Sequence, residues 1–358
     1  SINHSSLKSL ISYIYDMKIQ NIAHTMAVIA LTITILILGQ SIILPFIISI
    51  LIWFIVKKMR NLLDKNSVIK KYIPSWIKTG LASLVIIIGM VIIGEILASN
   101  IESLAASYPD YSSNIHSISE QINAFLNINL HDELTNFLLT IDFSAYFKSL
   151  FNSISELLGN TVMIVFYVTF LFVEESLFQN KIQLIFSNKE KHSGVVSIMK
   201  KVDKSMSSYI SLKSLVNLLS ATLSYFIMLF VGIDSPIFWA FLIFIFNFIP
   251  AIGPIIGTIF PALFALIQFG EFTPFLIILF GVGGTVVTVG SLVEPRLMGN
   301  TLNISPLVAI LSLAVWGSIW GVIGMLLSVP ITVAMIIVFS QFEKTRPMAI
   351  LLSEKGRV

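Results

Sequence analysis

Two short stretches of this chain set polar residues among prolines and glycines inside otherwise apolar sequence: NFIPAIGPIIG, opening at Asn247, and EPRLMGN, opening at Glu294. A side-chain amide or carboxylate in such a place can bind a polar solute or a cation, and a carboxylate can also carry a proton. An ionised side chain at the middle of a bilayer costs about 2.5 to 3.5 kcal/mol, so charge there marks either function or a membrane boundary. Pro250 and Pro254 each remove a helical donor and clash with the preceding turn, and Gly253 lets the chain bend. Pro295 and Gly299 interrupt the second stretch in the same way. Broken helices persist in lipid only where they are buried in protein or face a water-filled cavity, and solute sites are commonly built on them. The candidate pathway is therefore Asn247, Pro250, Gly253, Pro254 and Gly257 at the first break, with Glu294, Arg296, Gly299 and Asn300 at the second. Two alternatives stand beside it. The spacings Gly253 to Gly257 and Gly317 to Gly321 also suit close helix packing, and Glu294 and Arg296 also suit the end of a span at the membrane interface.

The elements that must position these residues are membrane-spanning helices. Hydrophobic residues make up 56% of the 358 and charged residues 11%, against about 25% charged in soluble domains, and the mean hydropathy is +0.92. Roughly 20 apolar residues cross about 30 Å of hydrocarbon. Runs that approach or meet this length cover residues 22–38, 41–56, 77–97, 160–173 and 215–231, the first two joined at Gly39 and Gln40 as a hairpin. The C-terminal third is less regular: 236–249 is too short to cross alone, 255–269 follows the first break, 275–293 leads into the second, and 306–319 precedes a final span to about residue 339. The expected fold is all-α and polytopic, with about eight transmembrane helices and broken or re-entrant helices in the C-terminal half.

Charge orients these spans. Lys57, Lys58, Arg60, Lys65, Lys70 and Lys71 face only Asp64 between the second and third runs, which places that loop and both termini in the cytoplasm. The acidic stretch 99–159 then lies outside as a helical segment, read as projecting ends of spans three and four. Val195, Met199, Val202, Met206 and Ile210 form one apolar stripe among lysines, the pattern of an amphipathic helix on anionic lipid headgroups. The expected divisions are 1–98, an extracytoplasmic 99–159, 160–213 with the fourth span and amphipathic helix, a transport core 214–342, and a cytoplasmic tail 343–358.

Several chemistries are excluded. There is no cysteine, so disulfides and thiolate sites are absent. No GxxxxGK[ST], HExxH or GxSxG motif occurs, so ATP-driven transport and these hydrolytic chemistries have no support. The five histidines are scattered, which gives no metal site, and no cofactor is implied. A net charge of +3 spread between apolar runs does not suit nucleic acid. Residues 1–21 lack the apolar core of a cleavable signal peptide, so the first run reads as a retained span.

At the same C-terminal residues the chain resembles the AI-2E family of bacterial permeases, the autoinducer-2 exporter family. FNFIPAIGPIIGTIFPALFAL (246–266) and VEPRLMGNTLNISPLVAILSLAVWGSIWGVIGMLLSVP (293–330) are similar to its two signatures. The resemblance implies a protein of the bacterial cytoplasmic (inner) membrane, a homo-oligomer and by implication a pentamer, that moves small solutes without ATP. The reading is a secondary transporter or facilitator exporting small polar solutes such as autoinducer-2. The alternatives are a sodium (cation)/proton antiporter using Glu294, and a membrane scaffold without transport activity.

Overall fold

The computed structural model describes residues 23–126, 160–185, 189–298, 303–354 and 356. These residues form helices and connections, with no strand among them. Six helical segments are long and apolar enough to cross a membrane, and Ala23–Leu38 and Pro236–Phe246 are shorter apolar helices. The chain is an all-α polytopic membrane protein.

The expected N-terminal hairpin does not form. Ala23–Leu38 (α1) passes into Gln40–Leu63 (α2) through Gly39 alone, whose N–H donates to Ile35 O at 2.8 Å and whose carbonyl accepts from Ile43 N–H at 2.9 Å. Both bonds continue the helical i to i−4 pattern, so the chain bends here and does not fold back. Residues 23–35 are exposed throughout, as a helix packed on α2 would not be. A short helix, Ser67–Tyr72 (α3), leads into Ser75–Leu126 (α4), and buried Lys78 at its start pairs with Asp64.

Two of the expected divisions fall inside continuous helices. With 52 residues α4 is about 78 Å long at ~1.5 Å per residue, so the third span runs on through residue 98 well past any bilayer. Its far end caps another helix: Asn114 Nδ2 donates to Ile267 O and Gln268 O at 3.1 and 2.7 Å, and Gln121 Nε2 to Gly270 O at 2.7 Å. After Thr161–Ile185 (α5), the amphipathic segment and the fifth span are one helix, Lys189–Val231 (α6), unbroken at residue 213. The apolar stripe on α6 is therefore covered by protein over much of its length. Met206 and Ile210 are buried against Phe54 of α2 and Val329 and Val333 further along the chain, whereas the pattern alone suggested a lipid-facing helix.

The C-terminal half contains two hairpins. Pro236–Phe246 (α7) folds back onto Ile252–Phe269 (α8). A Cβ added at Gly257 would lie 3.5 Å from the Ile243 backbone, and one at Gly253 only 1.8 Å from Phe246 O, so glycine at these places lets the arms touch. The open end is tied by Gln268, which accepts from Asp234 N–H at 2.8 Å and donates to Gly232 O at 3.0 Å. The chain next runs through Phe272–Thr288 (α9), a π-helical turn Val289–Val293 and Glu294–Met298 (α10) as one 27-residue apolar segment. The second break, expected over 294–300, thus begins after Met298 and not at Glu294. The wider turn, closed by Glu294 N–H on Val289 O, precedes Pro295, which has no N–H to give, and the helix continues to Met298.

Pro306–Phe339 (α11) is the second hairpin. Trp320 (φ −129, ψ 18) and Gly321 (φ 59, ψ −141) leave the helical region, and a Cβ at Gly324 would meet Trp316 O at 1.9 Å, an approach that a straight helix cannot make. The tip is tied to the α1–α2 bend, where Trp320 Nε1 donates to Leu36 O at 2.9 Å. Arg346–Leu352 (α12) follows, and Ser305 N–H at the start of the hairpin donates to Leu352 O at 3.1 Å.

Fully buried Trp239 and Ile243 of α7, Ile278 and Val282 of α9 and Met228 of α6 centre the larger core. Helices in lipid associate through close packing rather than by escape from water. Small residues accordingly mark the contacts: Gly283 faces Thr258, and Gly281 faces Ile227.

Candidate functional site

The α7–α8 hairpin tip is built by strain that the prolines alone do not explain. Ala251 sits at φ 60, ψ −47, and Ile252 N–H donates to Pro250 O at 2.6 Å, closing a three-residue γ-turn. A non-glycine residue in this region costs on the order of 1 to 3 kcal/mol and persists only where its surroundings impose it. The turn is imposed by Gly253, whose N–H bonds Ile249 O at 3.0 Å, and by the close approach to Phe246.

Around this tip lies a cavity of about 420 Å³, lined from the hairpin by Asn247, Pro250, Ala251 and Pro254, from the π-helical turn by Gly290 and Ser291, from α10 by Glu294, and from α6 by Tyr209 and Lys213. The start of α11, at Ala309, closes another side. Glu294 Oε1 accepts from Lys213 Nζ at 2.6 Å, and the two side chains are 25% and 12% exposed. Among the described residues they are the charged pair of the lining, so these residues give the site both signs and no net charge. Asn247 is buried and its Nδ2 donates to Ser220 Oγ at 3.3 Å, while its Oδ1 has no partner among the described residues. Nearby, Asn217 Nδ2 donates to Phe244 O at 3.1 Å and so satisfies a carbonyl freed at the end of α7.

The expected residues divide into four groups. Asn247, Pro250, Pro254 and Glu294, read from two stretches 47 positions apart, meet at this one cavity. Gly253 and Gly257 face the other arm of the hairpin and serve its packing; Arg296 is exposed and outside the lining. Gly299 and Asn300 lie outside the described residues. Sequence reasoning missed Tyr209, Lys213 and Ser291. A signal for Lys213 was present, since it is the single charged side chain between Lys204 and Asp234, and an isolated charge in a spanning segment points to a site.

A carboxylate–ammonium pair, a free amide oxygen and a hydroxyl around a cavity of this size can take up a small polar molecule by hydrogen bonding. The pair also offers a carboxylate for which a cation could compete. Groups of three or more potential metal ligands are absent among the described residues.

Comparison with known proteins agrees with this architecture. The chain is 26% identical over 323 residues to the AI-2 transport protein TqsA of Escherichia coli (strain K12), covering 89% of this chain and 91% of that protein. It is 26% identical over 331 residues to a Haemophilus influenzae protein named for transport without a substrate, covering 88% and 91%. A Borreliella burgdorferi protein named in the same general terms is 29% identical over 217 residues, covering 59% and 60%. The family model described as AI-2E family transporter matches residues 26–344, nearly the whole length, and the chain belongs to that family.

Proposed function

We propose that this protein is a secondary transporter or facilitator that exports small polar solutes such as autoinducer-2 across the bacterial cytoplasmic membrane, as a homo-oligomer with both termini in the cytoplasm. The observation that carries the reading is the cavity at the α7–α8 tip, where Lys213 and Glu294 neutralise each other and leave Asn247 Oδ1 and the Ser291 hydroxyl for hydrogen bonds to an uncharged solute. Compensated charge costs less in a low-dielectric site than a single ion would. The name of the Escherichia coli relative supplies the particular solute.

The test is efflux of autoinducer-2 and of small neutral polyols from proteoliposomes, with and without imposed sodium and proton gradients. Gradient-independent or gradient-driven solute efflux that falls in Asn247→Ala supports the reading; no solute flux in any condition sinks it. Orientation has its own assay in this cysteine-free chain. A cysteine placed at Ser113 should react with an impermeant thiol reagent on intact cells, and one at Lys65 should not.

The Lys213–Glu294 contact at 2.6 Å also favours a second reading, cation/proton antiport, in which a cation displaces the ammonium from the carboxylate. Glu294→Gln decides between them. The amide keeps the shape and loses the charge, so it abolishes ion-coupled flux in an antiporter; in the leading reading the double variant Lys213→Met/Glu294→Gln, which keeps the cavity neutral, spares solute efflux.

A further inference from the structure

A second cavity, of about 500 Å³, lies between α2, α5 and the N-terminal part of α6, at the end of the bundle that carries the basic α2–α4 connection. Its position follows from the apolar stripe on α6. Met206 and Ile210 are covered by protein, but Met199 of the stripe and the nearby Val196, about two and three turns before Met206, face this cavity together with Trp53, Phe178, Ile182 and Val338. Phe178, Met199 and Val338 each remain 39% exposed. The walls are thus apolar, in a cleft open to its surroundings.

The rim is ionic and ordered. Lys57 Nζ lies 2.9 Å from Asp203 Oδ2 and 3.8 Å from Glu175 Oε1, with the Trp53 ring 4.6 Å away. Arg60 donates to Glu175 Oε1 at 2.9 Å, and Lys181 pairs with Glu174 at 2.6 Å. Each acid is therefore in an ion pair, Asp203 through Oδ2 alone, its Oδ1 having no hydrogen-bond partner among the described residues. Lys200, also on the rim and exposed, has no ion pair among the described residues, and Lys201 and Lys204 follow on the same helix. An apolar slot beneath an unpaired ammonium is complementary to one kind of molecule, an amphiphile with an anionic head, and the bilayer supplies it.

We propose that this cavity binds one phospholipid, an acyl chain filling the slot along Val196, Met199 and Trp53 and the phosphate of an anionic headgroup meeting Lys200. The apolar chain removes the side chains from water, and the headgroup charge adds attraction to the lysine-rich turn. The site is distinct from the transport cavity but shares α6 with it, since Lys213 lies 13 residues beyond Lys200, about 20 Å along the helix.

Trp53 is a built-in reporter. The detergent-solubilised full chain is titrated with phosphatidylglycerol carrying brominated acyl chains, and quenching due to Trp53 is read as the difference between the wild-type chain and Trp53→Phe. The expected signal saturates near one lipid per chain and is about tenfold weaker for phosphatidylcholine with the same chains. Lys200→Glu, an exposed change that leaves folding intact, should remove that preference, and Val196→Phe should lower affinity about tenfold by filling the slot. Quenching that rises linearly without saturation overturns the site, and a saturating signal indifferent to headgroup and to Lys200→Glu overturns the assignment of Lys200. A Trp53 unquenched at every ratio also overturns the site, the result if a second copy or another protein covers the cavity.

Discussion

Replacing Lys213 by Met removes one partner of a pair whose side chains are 12% and 25% exposed. Leaving a fully buried charge without its partner costs about 3 to 5 kcal/mol, and a solvent-exposed pair contributes about 0 to 1. At these exposures the single change should cost about 2 kcal/mol, roughly 30-fold in the folding equilibrium. Glu294→Gln should cost somewhat less, because the amide still accepts a hydrogen bond from the lysine. The double variant leaves no orphaned charge and should recover about half of the summed loss of about 3.5 kcal/mol, giving a coupling energy of about 1.5 to 2 kcal/mol against the independent sum. Reversible unfolding of the four proteins in mixed micelles measures it. Additivity within about 0.5 kcal/mol would refute the argument, since two residues 2.6 Å apart in a shared cavity cannot then be interacting as the structure has them.

Three backbone predictions accompany this one. Gly253→Ala should cost on the order of 3 kcal/mol or more, because its Cβ would lie 1.8 Å from a carbonyl that no side-chain rotation can move; Gly284→Ala, with nothing within 4 Å, is the control and should shift the thermal midpoint little. Ala251→Gly should raise stability by about 1 kcal/mol by relieving φ 60, and a lower thermal midpoint would contradict the strained γ-turn. Gly321→Ala should cost about 1 to 3 kcal/mol although its Cβ meets nothing within 4 Å, since the penalty lies in φ 59, ψ −141 alone; an unchanged midpoint would show that the tip relaxes freely.

What could be read from the sequence depended on whether a feature was local. Pro250, Gly253 and Pro254 announce the first break because each restricts its own backbone, and the alignment of lysines and acids was visible along the chain. The γ-turn at Ala251 was not, since alanine has no preference for that conformation and is held there by contacts between residues several positions apart. Glu294 and Pro295 looked like a helix end because proline normally stops a regular α-helix, and a preceding π-helical turn leaves no compositional trace. Residue 213 closed the expected division that holds the amphipathic helix, though the isolation of Lys213 among apolar residues sets it apart. The stripe on α6 showed which face is apolar but not what covers it, a matter settled by Phe54 and Val333 on distant helices.

The turn at Val289–Val293 carries one residue more than an α-helical path would need. Each residue advances an α-helix by about 100° and ~1.5 Å, so this surplus residue sets the rotational phase of everything after it. Glu294 points at Lys213, and Met298 joins the buried cluster that holds Tyr209, because of that phase. Deleting Gly290 alone, which changes no side chain in α10, would swing both through about 100° in opposite sense to the insertion. The pairing across to α6 is thus encoded as a count of residues, a kind of information that substitution at any one position leaves untouched.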